Sequence, residues 1–101
     1  MTITTQFHGN TARIVLSGNI DYSTQDEFRK ANHKALSGKK VQEVQVDFGA
    51  VTFMDSSAIR ALLMLLKETG ATGKTLVLVN CTDNAREIFE IGGFDNLFTF
   101  R

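Results

Sequence analysis

Residues 44–66 constrain the fold more than any other stretch, because the spacing of their apolar side chains changes from that of a strand to that of a helix. Apolar and polar side chains alternate over 44–48, and apolar ones recur every three or four residues over 59–66. These periods are typical of a half-buried strand and of an amphipathic helix. The polar triplet Asp55-Ser56-Ser57 lies where the period changes, so it is the candidate functional site.

The triplet has the composition of a helix N-terminus. An N-cap side chain accepts hydrogen bonds from backbone N–H groups that have no partner inside the helix, and Asp55 is the best candidate for that position. Ser56 and Ser57 then occupy the first two helical positions, beside free amide donors and the positive end of the helix dipole. This setting favours an added anion, so a phosphoserine is compatible with it.

A helical wheel separates the two serines. At about 100° per residue, Ser56 lies at the edge of an apolar stripe that is expected to face the core, and Ser57 lies on the opposite, outward face. The residues of the apolar stripe are Ile59, Leu62, Leu63 and Leu66. The residues of the predicted partner-binding face around Ser57 are Ala58, Arg60, Ala61 and Met64. The alternative interpretation is that the triplet only caps the helix.

Size and composition predict one domain over residues 1–101. A chain of 101 residues with 43% hydrophobic residues suffices for one core and is too short for two. Its 11 basic and 11 acidic residues balance, so no overall basic field favours nucleic acid or anionic lipid. The expected partner is therefore a protein.

Targeting and metal signals are absent from the sequence. No apolar run approaches the roughly 20 residues of a membrane-spanning helix, and the first residues lack the regions of a signal peptide. We therefore expect a cytoplasmic protein without direct membrane insertion. One cysteine, Cys81, and two histidines, His8 and His33, form no cluster at metal-ligand spacing, and we expect no metal and no cofactor.

The order of the predicted elements indicates an α/β fold. A hairpin of two strands within residues 3–16 precedes a polar loop and a helix over 25–36. The strand at 41–48 and the triplet helix follow, and a continuous apolar strand at 75–79 suits an inner parallel position. A short helix near 85–91 and an edge strand at 98–100 end the pattern. We predict a mixed sheet of four to five strands with the helices packed largely on one face.

Several segments match, in order and spacing, the STAS domain of bacterial anti-sigma factor antagonists. They are Leu16-Ser17-Gly18-Asn19-Ile20-Asp21, Val46-Asp47-Phe48, Val51-Thr52-Phe53-Met54-Asp55-Ser56-Ser57, Leu76-Val77-Leu78-Val79-Asn80 and Ile91-Gly92-Gly93-Phe94. The resemblance covers essentially the whole chain, and the Asp-Ser-Ser triplet after a hydrophobic strand is its most specific part.

The resemblance implies a phosphorylation-controlled switch. Unphosphorylated members bind a serine kinase that is also an anti-sigma factor, phosphorylated members release it, and a metal-dependent serine phosphatase resets them. The second serine of the triplet is the phosphorylated one in the family, which implies Ser57 here. Asp55 matches the family's cap position, and Asp21 matches the acidic residue of the neighbouring loop.

Two departures from the family pattern concern the site and the chain end. Ala58 stands where members commonly have glycine after the second serine, and the chain stops at Arg101, without room for the C-terminal helix of many relatives. The alternative within the same fold is a constitutive STAS subunit of a membrane transport complex. An enzyme is disfavoured, because no histidine is placed as a base for Ser57 and no Gly-x-Ser-x-Gly motif is present.

Overall fold

The computed structural model describes residues 2–101, and residue 2 by its backbone alone. The elements in chain order are β1 (Thr2–His8), β2 (Thr11–Ile20), a 3-10 turn (Tyr22–Thr24), α1 (Gln25–Leu36), β3 (Glu43–Met54), α2 (Ser56–Ala71), β4 (Thr75–Val79), α3 (Asp83–Ile91) and β5 (Thr99–Phe100). The predicted bounds of α1 and β4 agree with those of the structure.

The five strands form one mixed sheet in the order β1-β2-β3-β4-β5. The hairpin pair β1 and β2 is antiparallel, and the other neighbouring strands are parallel. A helix connects each parallel pair, and each connection moves one strand further in the same direction. Because such crossovers are right-handed, they place all three helices on one face of the sheet, which confirms the predicted architecture.

The core lies between this face and the helices. Val46 stands in register between Ile14 of β2 and Leu78 of β4, and all three side chains are fully buried. Phe89 of α3 contacts three other phenylalanine rings edge-on. These are Phe48, Phe98 and Phe100, with ring centroids 6.2, 5.4 and 5.4 Å away. The alternation of buried residues along β2 and β3 explains why one face of the sheet is apolar.

Two strands are longer than their composition predicts. β2 continues through the polar residues Ser17 and Asn19 to Ile20, and β3 continues to Met54. The two extensions pair with each other, from Ser17 opposite Ala50 to Ile20 opposite Met54. The polar composition of residues 17–19 predicts a loop, but the partner strand supplies their backbone hydrogen bonds. The extensions bring the ends of β2 and β3 to the start of α2.

No helix within residues 2–101 is both long enough and apolar enough to cross a bilayer.

Candidate functional site

Asp55 caps helix α2 at the point where β3 ends. Its backbone is extended (φ −118°, ψ −171°), and its Oδ1 accepts a hydrogen bond from the Ser57 N–H, with 2.8 Å between oxygen and nitrogen. This bond satisfies one of the N–H groups that lack a partner at a helix start. Asp55 is thus the N-cap that the sequence predicts, and Ser56 is the first residue of α2.

The loop with Asp21 forms a hydrogen-bonded turn. The Oδ1 of Asp21 accepts hydrogen bonds from the N–H and the hydroxyl of Ser23, over 3.0 and 2.6 Å. In return, the N–H of Asp21 donates to Oγ1 of Thr24 over 3.0 Å. This reciprocal arrangement is a capping box, and it fixes the position of the Asp21 carboxylate.

Two further hydrogen bonds join this turn to α2. The N–H of Tyr22 donates to Oδ2 of Asp55 over 3.3 Å, and the N–H of Asp55 donates to the carbonyl of Ile20 over 3.2 Å. Because Tyr22 directly follows Asp21, the two acidic residues lie in one corner of the molecule, at the carboxyl ends of β2 and β3. The structure therefore brings Asp21 close to the Asp55-Ser56-Ser57 triplet.

The two serines differ in exposure. Ser56 is exposed and Ser57 is half-buried, so the wheel, which predicts Ser57 as the outward-facing serine, is wrong about which of the two is more exposed. Among residues 2–101, Ser57 forms a hydrogen bond through its N–H to Asp55 and none through its hydroxyl. A hydroxyl at this position is available to another molecule, and the adjacent amides and helix dipole favour negative charge. The carboxylates of Asp21 and Asp55 disfavour negative charge. An anion at Ser57 is therefore attracted by the helix N-terminus and repelled by these two side chains.

Neither histidine is placed to activate Ser57. His8 pairs with Thr11 at the far end of β2, roughly 30 Å from Ile20 at about 3.3 Å per residue. His33 lies on α1 and lines a groove that does not include Ser57. A serine nucleophile needs a base within hydrogen-bond reach, and this arrangement provides none from histidine.

The predicted partner-binding face needs correction. Ala58 and Ala61 were expected on the outward side of α2, yet their side chains are only 1% and 2% exposed. Ala61 is covered because α1 packs along that flank of α2, and the wheel assumed contact with the sheet alone. The small side chain at 61 suits the close approach of two helices. Arg60 is exposed, and Met64 is 48% exposed.

These two exposed residues are four positions apart on α2 and line different grooves. Met64 lines a groove between α1 and α2, which we call the α1–α2 groove; its residues are Arg29, Asn32, His33, Ala61, Met64 and Glu68. Arg60 lines a larger groove of about 430 Å³ between α2 and α3, which we call the α2–α3 groove; its residues are Met54, Asp55, Ser56, Ile59, Arg60, Leu63, Ile88, Ile91, Gly92 and Phe94. The predicted face thus borders two grooves, one on each side of the neighbouring residues Arg60 and Met64.

Sequence reasoning missed the apolar surface beside the triplet. Ile88 and Ile91 support the prediction of α3 as apolar residues, but Ile91 is 79% exposed and both line the α2–α3 groove. Tyr22, whose N–H bonds to Asp55, is 72% exposed. The signal in the sequence is that α3 carries more large apolar residues than one buried stripe of a short helix needs.

The Arg13–Asp47 ion pair and the Cys81 thiol lie outside the triplet. Arg13 and Asp47 form an ion pair of 2.8 Å on the sheet face that no helix covers. Burial raises the pKa of the Cys81 thiol to about 11, so this thiol stays protonated at neutral pH. No group of His, Cys, Asp and Glu side chains among residues 2–101 is arranged to hold a metal ion.

The family model described as "Mlab, STAS domain" matches residues 3–99 of this chain. The chain belongs to the STAS-domain family. A STAS-domain containing protein of Pseudomonas aeruginosa (strain UCBPP-PA14) is 31% identical over 91 residues, which are 89% of this chain and 87% of that protein. BtrV of Bordetella bronchiseptica, whose name assigns it provisionally to the anti-sigma factor antagonists, is 30% identical over 76 residues, 75% of this chain and 66% of BtrV.

The fold of this STAS domain is also that of the anti-sigma factor antagonist SpoIIAA. Its unphosphorylated form superposes with a TM-score of 0.77 at 22% identity, over 99% of this chain and 87% of SpoIIAA. The phosphorylated form of SpoIIAA from Bacillus gives a TM-score of 0.76. These similarities establish the fold, and the relatives place anti-sigma factor antagonists among the proteins that this chain resembles.

Proposed function

We propose that this STAS-domain protein is an anti-sigma factor antagonist that acts as a phosphorylation-controlled switch in the cytoplasm. Its unphosphorylated form binds an anti-sigma factor that is also a serine kinase, and phosphorylation of Ser57 releases this partner. A serine phosphatase restores the binding form. The observation that carries the proposal is the Ser57 hydroxyl, which has no internal hydrogen bond among residues 2–101 and stands at the N-terminus of α2. The protein works by binding, without turnover of its own.

The proposed release mechanism is electrostatic. A phosphate on Ser57 adds about 1.5 to 2 negative charges next to Asp55 and close to the turn of Asp21. The backbone N–H groups at the start of α2 stabilise this charge within the domain, so the fold is retained. In an interface, the same charge is desolvated and repels acidic groups of the partner, so binding is lost.

The proposed partner contact surrounds the triplet. Tyr22 lies on one side, and Arg60 with the apolar α2–α3 groove lies on the other. Exposed aromatic and arginine side chains are the types that most often dominate binding energy. Asp55 and Ser56 line that groove and Ser57 is the next residue of α2, so a charge added there falls at the edge of the contact. Ala58, which is buried, affects the contact by shaping the start of α2 rather than by touching the partner.

The test compares Ser57→Ala with Ser57→Asp in binding to the kinase partner recovered with the unphosphorylated protein. Ser57→Ala is expected to bind like the unmodified chain. Ser57→Asp is expected to weaken binding at least about tenfold, because like charges across an interface cost more than 1.4 kcal/mol. Calorimetry measures both affinities. Thr4→Asp is the matched control, since it places the same charge on an exposed side chain of β1, outside the α2–α3 groove, and is expected to bind like the unmodified chain.

Peptide mapping of protein from its native cells locates the modification. We expect phosphate on Ser57, removed in a sample treated with phosphatase. Phosphate on Ser56 alone, or none under any growth condition, would contradict the switch. Recovery of the protein in a constant complex with a transport ATPase, unaffected by Ser57→Asp, would instead support a constitutive transport subunit.

A further inference from the structure

Arg60 is the one basic residue within residues 2–101 that lines the α2–α3 groove, and it shares this lining with Asp55 and Ser56. Its side chain is exposed. The arginine ion pairs formed within the same residues involve Arg13 and Arg101, and so do the arginine side-chain hydrogen bonds. The guanidinium of Arg60 therefore has its five N–H donors available to an anion.

The geometry of α2 directs Arg60 toward Ser57. Side chains of a helix tilt toward its N-terminus and cover the turn that precedes their own Cα atom, and for Arg60 that turn contains Ser57. Residues three positions apart have Cβ atoms about 5–6 Å from each other, and an anion N-terminal to a cation is the favourable order for such a pair. The Ser57 hydroxyl has no hydrogen bond within residues 2–101. A negative group on it is therefore within reach of the Arg60 guanidinium.

We propose that Arg60 binds the phosphate of phosphorylated Ser57, so that one guanidinium contacts the partner in the unphosphorylated state and the phosphate in the other. This inference rests on the proposed phosphorylation of Ser57. Arginine bonds a phosphate at two points, through hydrogen bonds that are shorter and stronger than those between neutral groups. Phosphorylation then has two effects on the contact, because it adds negative charge and also withdraws a binding arginine.

The cap carboxylate leaves Arg60 to the phosphate. Both oxygens of Asp55 accept backbone N–H groups, Oδ1 that of Ser57 and Oδ2 that of Tyr22. No ion pair joins Asp55 to Arg60 within residues 2–101. A phosphate on Ser57 carries more charge than a carboxylate, so it is the stronger acceptor for this guanidinium.

Other charged or titratable side chains surround Ser57 on the neighbouring elements. They are Asp21 and Tyr22 at the 3-10 turn, Asp55 at the cap of α2, and Arg29 and His33 of α1, which line the α1–α2 groove. From α3, Ile88 and Ile91 line the α2–α3 groove, and neither is charged. The acidic groups oppose full ionisation of a phosphate on Ser57 and the basic groups favour it. A change at Arg60 alone therefore isolates the contribution of Arg60.

The test uses the full chain with phosphoserine introduced at position 57 during synthesis, which needs neither the kinase nor the partner. Phosphorus NMR follows the second ionisation of the phosphate, whose ordinary pKa is about 6. A guanidinium that binds the dianion lowers this pKa, so Arg60→Gln is expected to raise it by about 0.3 units or more, the size of an ion pair at this helical spacing. Arg60→Lys keeps the charge and is expected to restore most of the difference.

A matched control separates this pairing from net charge. Lys67→Gln removes one positive charge from an exposed position of the same helix, roughly 15 Å from Ser57 at about 1.5 Å per residue. It is expected to leave the phosphate pKa within about 0.1 units. In proton–nitrogen NMR of the phosphorylated chain, the Arg60 Nε–H resonance is expected to move downfield as the phosphate becomes dianionic.

Two results would overturn the inference. One is the same phosphate pKa in the unmodified chain and in Arg60→Gln. The other is a shift for Lys67→Gln as large as that for Arg60→Gln, which would assign the effect to net charge. Neither result bears on whether Ser57 is phosphorylated in cells, which peptide mapping decides, so failure of the pairing is distinguishable from failure of the switch.

Discussion

The two carboxylate oxygens of Asp55 accept different hydrogen bonds and have different structural roles. Oδ1 caps α2 through the Ser57 N–H, and Oδ2 holds the Tyr22 N–H of the neighbouring turn. One side chain therefore sets both the start of the helix that carries Ser57 and the position of the turn that carries Asp21. A switch site needs such fixed geometry, because the added phosphate must fall at a defined place in an interface.

Replacement of Asp55 measures the cap directly. Asp55→Ala leaves the Ser57 N–H without its acceptor and is expected to lower the free energy of unfolding by about 1 kcal/mol. Asp55→Asn keeps an oxygen at the cap and is expected to cost much less. Urea denaturation of both variants checks this, with Glu90→Ala, an exposed residue away from the N-terminus of α3, as the control. Equal losses for the alanine and asparagine variants at 55 would contradict a capping role.

The cap was predictable from the sequence because it is local. An aspartate directly before an apolar-periodic run is a sufficient signal for it, and the same holds for the bounds of α1 and β4. The flank of α2 was not predictable in this way. Whether Ala61 faces solvent or another helix depends on where α1 lies, and α1 is distant in the sequence. The extended ends of β2 and β3 were missed for the same reason, since each strand is completed by the other.

At the scale of elements, the contact between α1 and α2 decides how α2 presents its residues. Ala61 is buried in this contact, whereas Met64, less than one turn further on, is half exposed. The burial of Ala61 agrees with the packing of α1 against α2 and disagrees with the outward face that the wheel predicts for both residues. A larger side chain at 61 has no room between the helices, and one at 64 extends toward solvent.

Ala61→Leu is expected to destabilise the domain by about 1–3 kcal/mol, because overpacking a close contact displaces its neighbours. Met64→Leu conserves the apolar character of an exposed position and is expected to change stability by no more than about 0.5 kcal/mol. Thermal and urea unfolding of the two variants give the comparison. If Ala61→Leu left the stability unchanged, Ala61 would face outward, as the wheel predicts, and would not be packed between α1 and α2.

At the scale of the molecule, one face of the sheet has helices and the other has a polar network centred on Asp47. Oδ2 of Asp47 accepts from Arg13 of β2 over 2.8 Å. Its Oδ1 accepts from the Gly49 N–H over 2.8 Å and from Asn80, after β4, over 3.2 Å. A single carboxylate thus links three neighbouring strands on the face opposite the core, near the point where β3 leaves β4 and continues beside β2 toward the site.

The pKa of Asp47 makes this network a source of pH-dependent stability. Burial acts to raise that pKa, but the hydrogen bonds from Gly49, Arg13 and Asn80 and the charge of Arg13 outweigh burial, so the pKa lies below its ordinary value of 3.8. A carboxyl whose pKa is lowered by folding stabilises the folded state above its unfolded pKa, and this contribution is lost as the pH falls through the folded pKa.

Asp47→Asn is therefore expected to lower stability at neutral pH and to lose less further stability than the unmodified chain as the pH falls below about 4. The amide keeps one acceptor oxygen for the Gly49 N–H but cannot pair with the Arg13 charge. Urea unfolding from neutral to acidic pH measures the two curves, which should converge at the acidic end. Asp95→Asn is the control, since Asp95 lies outside the sheet. Parallel curves for Asp47→Asn and the unmodified chain would show that the charge of Asp47 does not join the strands energetically.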